Sequence, residues 1–145
     1  MRRMPKLAPE EEKTGNGMSA ESMPDRETVP PEGAQKAIMF VHGFAGCAET
    51  WEYQVNHFAQ GYRVIAPDLR GHGQSDAPFS EYSMSELVDD IQAIAESLRL
   101  PEKFVLVGHS FGGSICVEYA NVHPERLEKL ILIATAGEYP LPRGA

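Results

Sequence analysis

Short apolar runs alternate along this chain with segments of helical periodicity, and this alternation restricts the fold more than any other feature of the sequence. Each run is continuously apolar, which is typical of strands that are buried on both faces of a sheet. Strands that alternate with helices are joined by right-handed crossovers, so the strands run parallel and helices cover both faces. We therefore expect an α/β fold with a parallel sheet, whose strands fall at residues 37–41, 62–66, 104–107 and 130–134.

Caps and prolines mark the ends of the predicted helices. The clearest helix begins at Ser83, because Glu86 follows three residues later in the pattern of a capping box, and it ends before Pro101. A weaker apolar stripe predicts a helix over residues 48–58, and a third helix is expected from about residue 112 to 122. The apolar face of the clearest helix is formed by Met84, Leu87, Val88, Ile91, Ile94, Ala95 and Leu98.

Composition divides the chain into two parts. With 145 residues, of which 42% are hydrophobic, the chain is long enough for one domain. Residues 1–36 contain no Phe, Tyr or Trp and sustain neither a helical nor a strand period. Burying them would not offset the entropy lost in ordering them. We expect residues 1–36 to be a disordered tail and residues 37–145 to be the folded part.

Charge and hydropathy exclude several classes of partner. The net charge of −8 argues against nucleic acid or an anionic membrane as a partner, because both need a basic surface. No apolar run approaches the length of a membrane span, and no apolar signal-peptide core follows Arg2 and Arg3.

Cys47 and Cys116 lie far apart in sequence, without a neighbouring thiol for a metal pair. We therefore expect a cytoplasmic protein with two free thiols.

Gly108, Ser110 and Gly112 stand at the junction of a predicted strand and a predicted helix. The spacing G-x-S-x-G in this setting is that of a nucleophile elbow, where a strained turn lifts a serine hydroxyl above the sheet. The glycines let strand and helix approach without a Cβ clash, and the helix directs N–H groups and its positive end at the reacting carbon. Ser110 is therefore the candidate nucleophile. The alternative is a glycine-rich turn without chemistry.

Two further loops follow predicted strands, and the ends of parallel strands gather at one edge of a sheet. In His42-Gly43-Phe44 the N–H of Phe44 could form an oxyanion hole with that of Phe111. We expect His42 to support this loop by hydrogen bonding or packing, and not to act as a base. Residues 68–75 carry Asp, Arg and His between glycines, which indicates a side chain-to-backbone network that stabilises a tight turn.

These three motifs, in this order and spacing, resemble the α/β-hydrolase superfamily, in particular the branch of esterases, haloperoxidase-like enzymes, C–C bond hydrolases and epoxide hydrolases. The resemblance covers about residues 37–137. It implies Ser110 as the nucleophile, the amides of Phe44 and Phe111 as the oxyanion hole, and neither cofactor nor metal. Serine at position 110 disfavours the branches that use an aspartate nucleophile, such as epoxide hydrolases. The residues expected to support the site are His42, Gly43 and His109.

The superfamily places an acid and then a histidine after its nucleophile. None of the five histidines takes that position, because each lies before the elbow, next to its serine or on the helix that follows it. They are His42, His57, His72, His109 and His123. We expect the acid and the base to be missing from this chain, with Glu138 as the alternative for the acid. The leading antiparallel strands of the superfamily are expected to be missing from residues 1–36.

The sequence therefore predicts the N-terminal half of an α/β-hydrolase domain that is nearly inactive alone. The strand at residues 130–134 would expose an apolar edge, which favours self-association. The leading function is that of a serine hydrolase acting on a small-molecule ester or related carbonyl compound. The alternatives are a non-catalytic binding module and an acyltransferase, although the acyl-carrier transacylases that Gly108-His109-Ser110 also resembles lack the other two loops.

Overall fold

The computed structural model of the chain describes residues 25–28, 32–33, 35–43, 46–70 and 83–135. Its strands are β1 (Asp25–Glu27), β2 (Ala37–Val41), β3 (Arg63–Pro67), β4 (Phe104–His109) and β5 (Leu127–Ile133). They form one sheet in the order β1-β3-β2-β4-β5. Strands β2 to β5 pair in parallel, whereas β1 pairs antiparallel with β3.

The helices connect the parallel strands. A 3₁₀ turn (Ala48–Trp51) leads into α1 (Glu52–Phe58), and α2 (Met84–Ser97) and α3 (Phe111–Val122) follow. The predicted α/β fold is confirmed. The largest difference in strand bounds is at β5, which begins at Leu127 and not at residue 130. In the described part of the chain, no helix is long and apolar enough to cross a membrane.

Two apolar clusters hold the helices on opposite faces of the sheet. The residues of β2 alternate between the clusters: Met39 and Val41 pack with α2 and α3, whereas Ile38 and Phe40 pack with Trp51 and the α1 side. Successive side chains of a strand point to opposite faces, so a strand covered on both faces is apolar throughout. The continuous apolar runs in the sequence follow from this arrangement.

Helix α2 begins with the predicted capping box. The Ser83 hydroxyl accepts a hydrogen bond from the Glu86 amide at 3.2 Å, and the Glu86 carboxylate accepts one from the Ser83 amide at 2.9 Å. Two amides at the start of the helix, which lack partners within the helix, are thereby satisfied. The prediction of this helix from caps and periodicity is confirmed.

The prediction that residues 1–36 lack a leading antiparallel strand is wrong, because β1 lies in this segment and pairs antiparallel with β3. Asp25 lies opposite Pro67 and Glu27 opposite Ile65. Thr28 extends the pairing, since its amide donates to the Val64 carbonyl and its hydroxyl accepts from the Val64 amide, both at 3.0 Å. Backbone pairing and polar contacts hold this strand, so no apolar pattern marks it in the sequence. Of residues 1–36, which were expected to be a disordered tail, the structure describes 25–28, 32–33 and 35–36, and the rest lie outside the described residues.

A buried ion pair fixes β1 to the rest of the fold. Arg63 of β3 donates through Nε to the Glu27 carboxylate, which is 3% exposed. The same guanidinium donates through Nη2 to the Leu98 carbonyl at 2.6 Å, at the end of α2. Cations near a helix C-terminus satisfy its last carbonyls and oppose its negative dipole end. Arg63 therefore links the first strand, its neighbour and a helix terminus.

Replacing Arg63→Met is expected to lower the free energy of unfolding by about 3–5 kcal/mol, because it leaves the Glu27 carboxylate buried without its partner. Urea denaturation followed by circular dichroism measures this loss. The double variant Glu27→Leu with Arg63→Met removes both charges and should recover part of the stability. A double variant less stable than Arg63→Met alone would contradict the assigned role of the pair.

Candidate active site

Ser110 occupies the single-residue turn between β4 and α3. Its backbone has φ 53° and ψ −123°, a conformation that L residues rarely adopt. The Ser110 amide donates to the Ile133 carbonyl at 3.0 Å, so β5 holds the turn from one side. The strand, turn and helix therefore succeed one another as the G-x-S-x-G spacing requires, with strain concentrated at the serine.

The glycines around Ser110 permit contacts that no side chain would allow. A Cβ atom at Gly108 would lie 2.5 Å from the Gly113 Cα and 2.8 Å from the Cys116 sulfur. At Gly112 a Cβ atom would overlap the His42 carbonyl and lie 2.6 Å from the Val41 carbonyl oxygen. Helix α3 thus packs directly against the backbones of β4 and β2. This packing sets where the first turn of α3 lies relative to the serine.

His42 is fully buried at the end of β2 and bridges two loops. The Leu69 amide donates to its Nε2 at 2.9 Å, and its Nδ1 lies 2.8 Å from the Gly43 carbonyl oxygen. An amide can only donate, so Nε2 must be the accepting nitrogen and Nδ1 carries the proton that Gly43 accepts. Both ring nitrogens of this neutral imidazole are therefore engaged in supporting the backbone.

Gly43 lies beside the elbow. A Cβ atom there would stand 3.2 Å from the Ser110 Cβ and 3.3 Å from the His109 Nδ1. The structure thus brings Gly43, His109, Ser110 and the first residue of α3, Phe111, together. Phe44, the other expected oxyanion donor, lies outside the described residues.

The loop after β3 is held by charged side chains. The Asp68 Oδ1, almost fully buried, accepts from the Ala48 amide at 2.6 Å. Arg70 forms a bidentate pair with Asp90 of α2, with both contacts at 2.6 Å, and its Nη1 lies 3.3 Å from the Glu86 carboxylate. Asp68 and Arg70 therefore connect this loop to α2 and to the start of the 3₁₀ turn. Residues 71–75 of the predicted network lie outside the described residues.

A family model for the alpha/beta hydrolase fold matches residues 36–143. The chain belongs to the alpha/beta hydrolase family. It is 40% identical over 104 residues to human "Epoxide hydrolase 4", a match that covers 70% of this chain and 28% of the relative. It is 36% identical over 105 residues to an uncharacterized Mycobacterium tuberculosis protein, with coverage of 72% and 30%. The chain therefore spans less than a third of the length of either relative.

Solved structures share the fold. A thermophilic esterase from Thermogutta terrifontis superposes with a TM-score of 0.76 at 31% identity, covering 83% of this chain and 43% of the esterase. A probable hydrolytic enzyme from Pseudomonas aeruginosa gives a TM-score of 0.74 at 33% identity, with coverage of 79% and 37%. The described residues of this hydrolase-family chain thus reproduce part of a larger hydrolase fold.

Trp51 is a neighbour of the site, although its place in the apolar stripe over residues 48–58 predicts only that it is buried. Its ring meets the His109 ring edge-on, with centroids 6.3 Å apart, and it packs on Phe40 at 5.0 Å. Trp51 therefore contacts His109, the residue directly before Ser110. A stripe of helical spacing predicts burial, but it carries no information about which loop the ring reaches.

The other described histidines have contacts away from Ser110. The exposed His57 stacks edge-on with Phe58 at a centroid distance of 5.0 Å. His123, at the opposite end of α3 from the serine, lies 3.6 Å from the Glu125 carboxylate and 4.9 Å from the Tyr119 ring. His72 and Glu138 lie outside the described residues. Neither His57 nor His123 therefore has a contact that places it beside Ser110.

The two cysteines are free thiols. Burial raises the pKa of the Cys116 thiol, and a hydrogen bond with Glu49 raises the pKa of the Cys47 thiol. Both shifts disfavour the thiolate, which is the reactive form. Among the residues with assigned positions, no group of three or more His, Cys, Asp or Glu side chains could hold a metal ion.

Gly112→Ala is expected to lower the free energy of unfolding by about 1–3 kcal/mol, because the added methyl group overlaps the carbonyls at the end of β2. Gly61→Ala is the matched control, since nothing lies within 4 Å of a Cβ atom there. That variant should be neutral or slightly stabilising. Urea denaturation of both variants gives the comparison, and equal stabilities would show that α3 does not pack on β2 as described.

His42→Phe is expected to cost about 2–4 kcal/mol of unfolding free energy, because the Leu69 amide and the Gly43 carbonyl both lose a buried partner. His57→Phe makes the same change on an exposed side chain of α1 and should cost little. Thermal and urea denaturation measure both. Similar losses in the two variants would contradict the bridging role of His42.

Proposed function

We propose that the chain carries the nucleophile of a serine hydrolase that acts on an ester or a related carbonyl compound. The observation that supports this most directly is the backbone of Ser110, which adopts φ 53° between β4 and α3. Strain of this kind persists only where the surrounding structure enforces it, and it is concentrated at functional sites. Family membership and the resemblance to a solved esterase agree with this role.

In the proposed reaction the Ser110 hydroxyl oxygen attacks the carbonyl carbon of the substrate, and a histidine removes the hydroxyl proton. The carbonyl oxygen becomes an oxyanion that accepts hydrogen bonds from the Phe111 and Phe44 amides. The histidine then returns the proton to the leaving group, and an acyl-serine forms that water hydrolyses. Phe111 begins α3, so the positive end of the helix dipole also favours the oxyanion.

In the superfamily the acid and the general base follow the nucleophile, and the one histidine after Ser110 in this sequence is His123. We therefore propose that neither group is supplied by this chain. His42 is already engaged at both ring nitrogens, and His123 lies at the far end of α3. A serine hydrolase without its histidine retains only the rate contributed by the oxyanion hole and by binding, about 10³–10⁴ over water. The proposal therefore includes near inactivity of the 145-residue chain by itself.

The side chain at position 110 indicates which class of substrate the proposed enzyme would attack. Relatives and solved neighbours include proteins named as esterases and as epoxide hydrolases. A serine hydroxyl forms an acyl intermediate with a carbonyl compound, and it is the nucleophile expected for ester cleavage. We therefore favour a carbonyl substrate over an epoxide.

A fluorophosphonate probe tests the proposed nucleophile. The probe should label Ser110 of the 145-residue chain, slowly but faster than a free serine, because the oxyanion hole stabilises the phosphonyl adduct without a base. Ser110→Ala should abolish labelling, whereas Ser114→Ala, a serine one turn further along α3, should retain it. Intact-protein mass spectrometry with peptide mapping measures the adduct. Absence of labelling at Ser110 would favour a non-catalytic binding module.

Turnover of p-nitrophenyl esters tests the proposed lack of base. The chain should turn these esters over about 10⁶-fold more slowly than a complete serine hydrolase, which is the loss caused by removing the histidine alone. The measurement is the steady-state release of p-nitrophenol with wild-type and Ser110→Ala proteins. Turnover at an ordinary enzyme rate that disappears in Ser110→Ala would show that the chain contains its own base.

A further inference from the structure

The Ile133 carbonyl, at the end of β5, accepts two hydrogen bonds. The Ser110 amide donates to it at 3.0 Å, and the Thr135 hydroxyl donates to it at 3.2 Å. A carbonyl oxygen has two lone pairs, so both bonds can form at the same time. The Thr135 hydroxyl is therefore linked to the backbone of Ser110 through one shared acceptor.

The chain bends at Ala134, directly after β5. Ala134 has φ 49°, in the left-handed region that L residues rarely adopt, and Ser110 at the end of the neighbouring strand has φ 53°. Ala134 shares a peptide bond with the Ile133 carbonyl, and Ser110 donates to that carbonyl, so two strained residues meet at one backbone group. Strain of this kind persists only where the surrounding contacts enforce it.

Thr135 also packs against the first turn of α3. Its side chain occupies the space that a Cβ atom at Gly113 would need, since such an atom would overlap the Thr135 Oγ1 and lie 2.6 Å from its Cγ2. The Gly113 amide donates to the Ser110 carbonyl at 2.9 Å. Thr135 therefore lies directly against the residue that holds the Ser110 carbonyl.

These contacts engage the peptide groups on both sides of Ser110. The group before it is held through its N–H by the Ile133 carbonyl, and the group after it is held through its C=O by the Gly113 amide. Peptide groups are planar, so fixing the two that flank a residue fixes its φ and ψ. Thr135 contacts both supports, Ile133 through its hydroxyl and Gly113 through its packing.

We propose that Thr135 is a positioning residue for the nucleophile, which holds Ser110 in its strained conformation through Ile133 and Gly113. This inference rests on the proposed function, because that function assigns the attack to Ser110. The Thr135 hydroxyl keeps the Ile133 carbonyl directed at the Ser110 amide where the strand has ended. Without the hydroxyl the carbonyl can rotate away, and the Ser110 hydroxyl spends less time in the orientation required for attack.

Two substitutions separate the hydroxyl of Thr135 from its shape. Thr135→Val keeps the branched side chain and removes the hydrogen bond, whereas Thr135→Ser keeps the hydroxyl and removes the methyl group. Labelling of the 145-residue chain by the fluorophosphonate probe yields a maximal rate and a half-saturating probe concentration. Thr135→Val should lower the maximal rate about tenfold, which is the effect of one hydrogen bond, and leave the half-saturating concentration unchanged. Thr135→Ser should label at close to the wild-type rate.

Thr50→Val is the matched control, because it makes the same change on an exposed residue far from β5 in sequence, and it should label like the wild type. Urea denaturation of each variant gives its folded fraction, so that labelling rates are compared per folded molecule. If Thr135 contributed only to stability, the rate per folded molecule would not change.

Hydrogen exchange of the Ser110 amide, measured by NMR, tests the same inference without any reaction. The Leu106 amide of β4 is the reference, which removes the effect of global stability. Relative to this reference, exchange at Ser110 should become about tenfold faster in Thr135→Val and should stay near the wild-type rate in Thr135→Ser. Only the first variant loses the group that directs the acceptor.

The outcomes separate this inference from the proposed function. If the wild-type chain is not labelled at Ser110, the proposed function fails, and the exchange rates decide whether Thr135 holds the Ser110 backbone. If the wild type is labelled and Thr135→Val labels equally fast per folded molecule, the proposed function stands and the positioning role is overturned. Equal slowing by Thr135→Val and Thr135→Ser would also overturn it, because the hydroxyl would then have no part in the effect.

Discussion

The direct contact of α3 with the backbones of β2 and β4 is the constraint on which the rest of the site depends. At Gly108 and Gly112 the helix approaches the strands more closely than any side chain would permit. The connection between β4 and α3 is then one residue long, and Ser110 must adopt a left-handed backbone to make it. The strain at the serine is therefore a consequence of close packing, and the apolar cores on both faces of the sheet maintain it.

Polar contacts stabilise the loops that surround this elbow. His42 connects the end of β2 to Leu69, Asp68 connects the same region to Ala48, and Arg70 connects it to Asp90 on α2. Loops at the end of a sheet bury little apolar surface, so hydrogen bonds between buried groups define their positions. The same network fixes the protonation of His42, because a protonated ring could not accept from the Leu69 amide.

Strand β5 holds the turn that carries Ser110, because the Ile133 carbonyl accepts a hydrogen bond from the Ser110 amide. At the other end of the strand order, β1 has three residues and is held to β3 by the buried Glu27–Arg63 ion pair.

The sequence by itself determined the order of strands and helices, the capping box at Ser83 and the strand-turn-helix setting of Ser110, because each depends on residues that are close in the chain. It did not predict β1, whose partners Arg63 and Val64 lie more than thirty residues away, nor the contact of Trp51 with His109. Which segments pair over such distances depends on the backbones that the core brings together. Local periodicity does not predict it. The tertiary structure alone decided the protonation of His42, because that state depends on a loop that folding places against its ring.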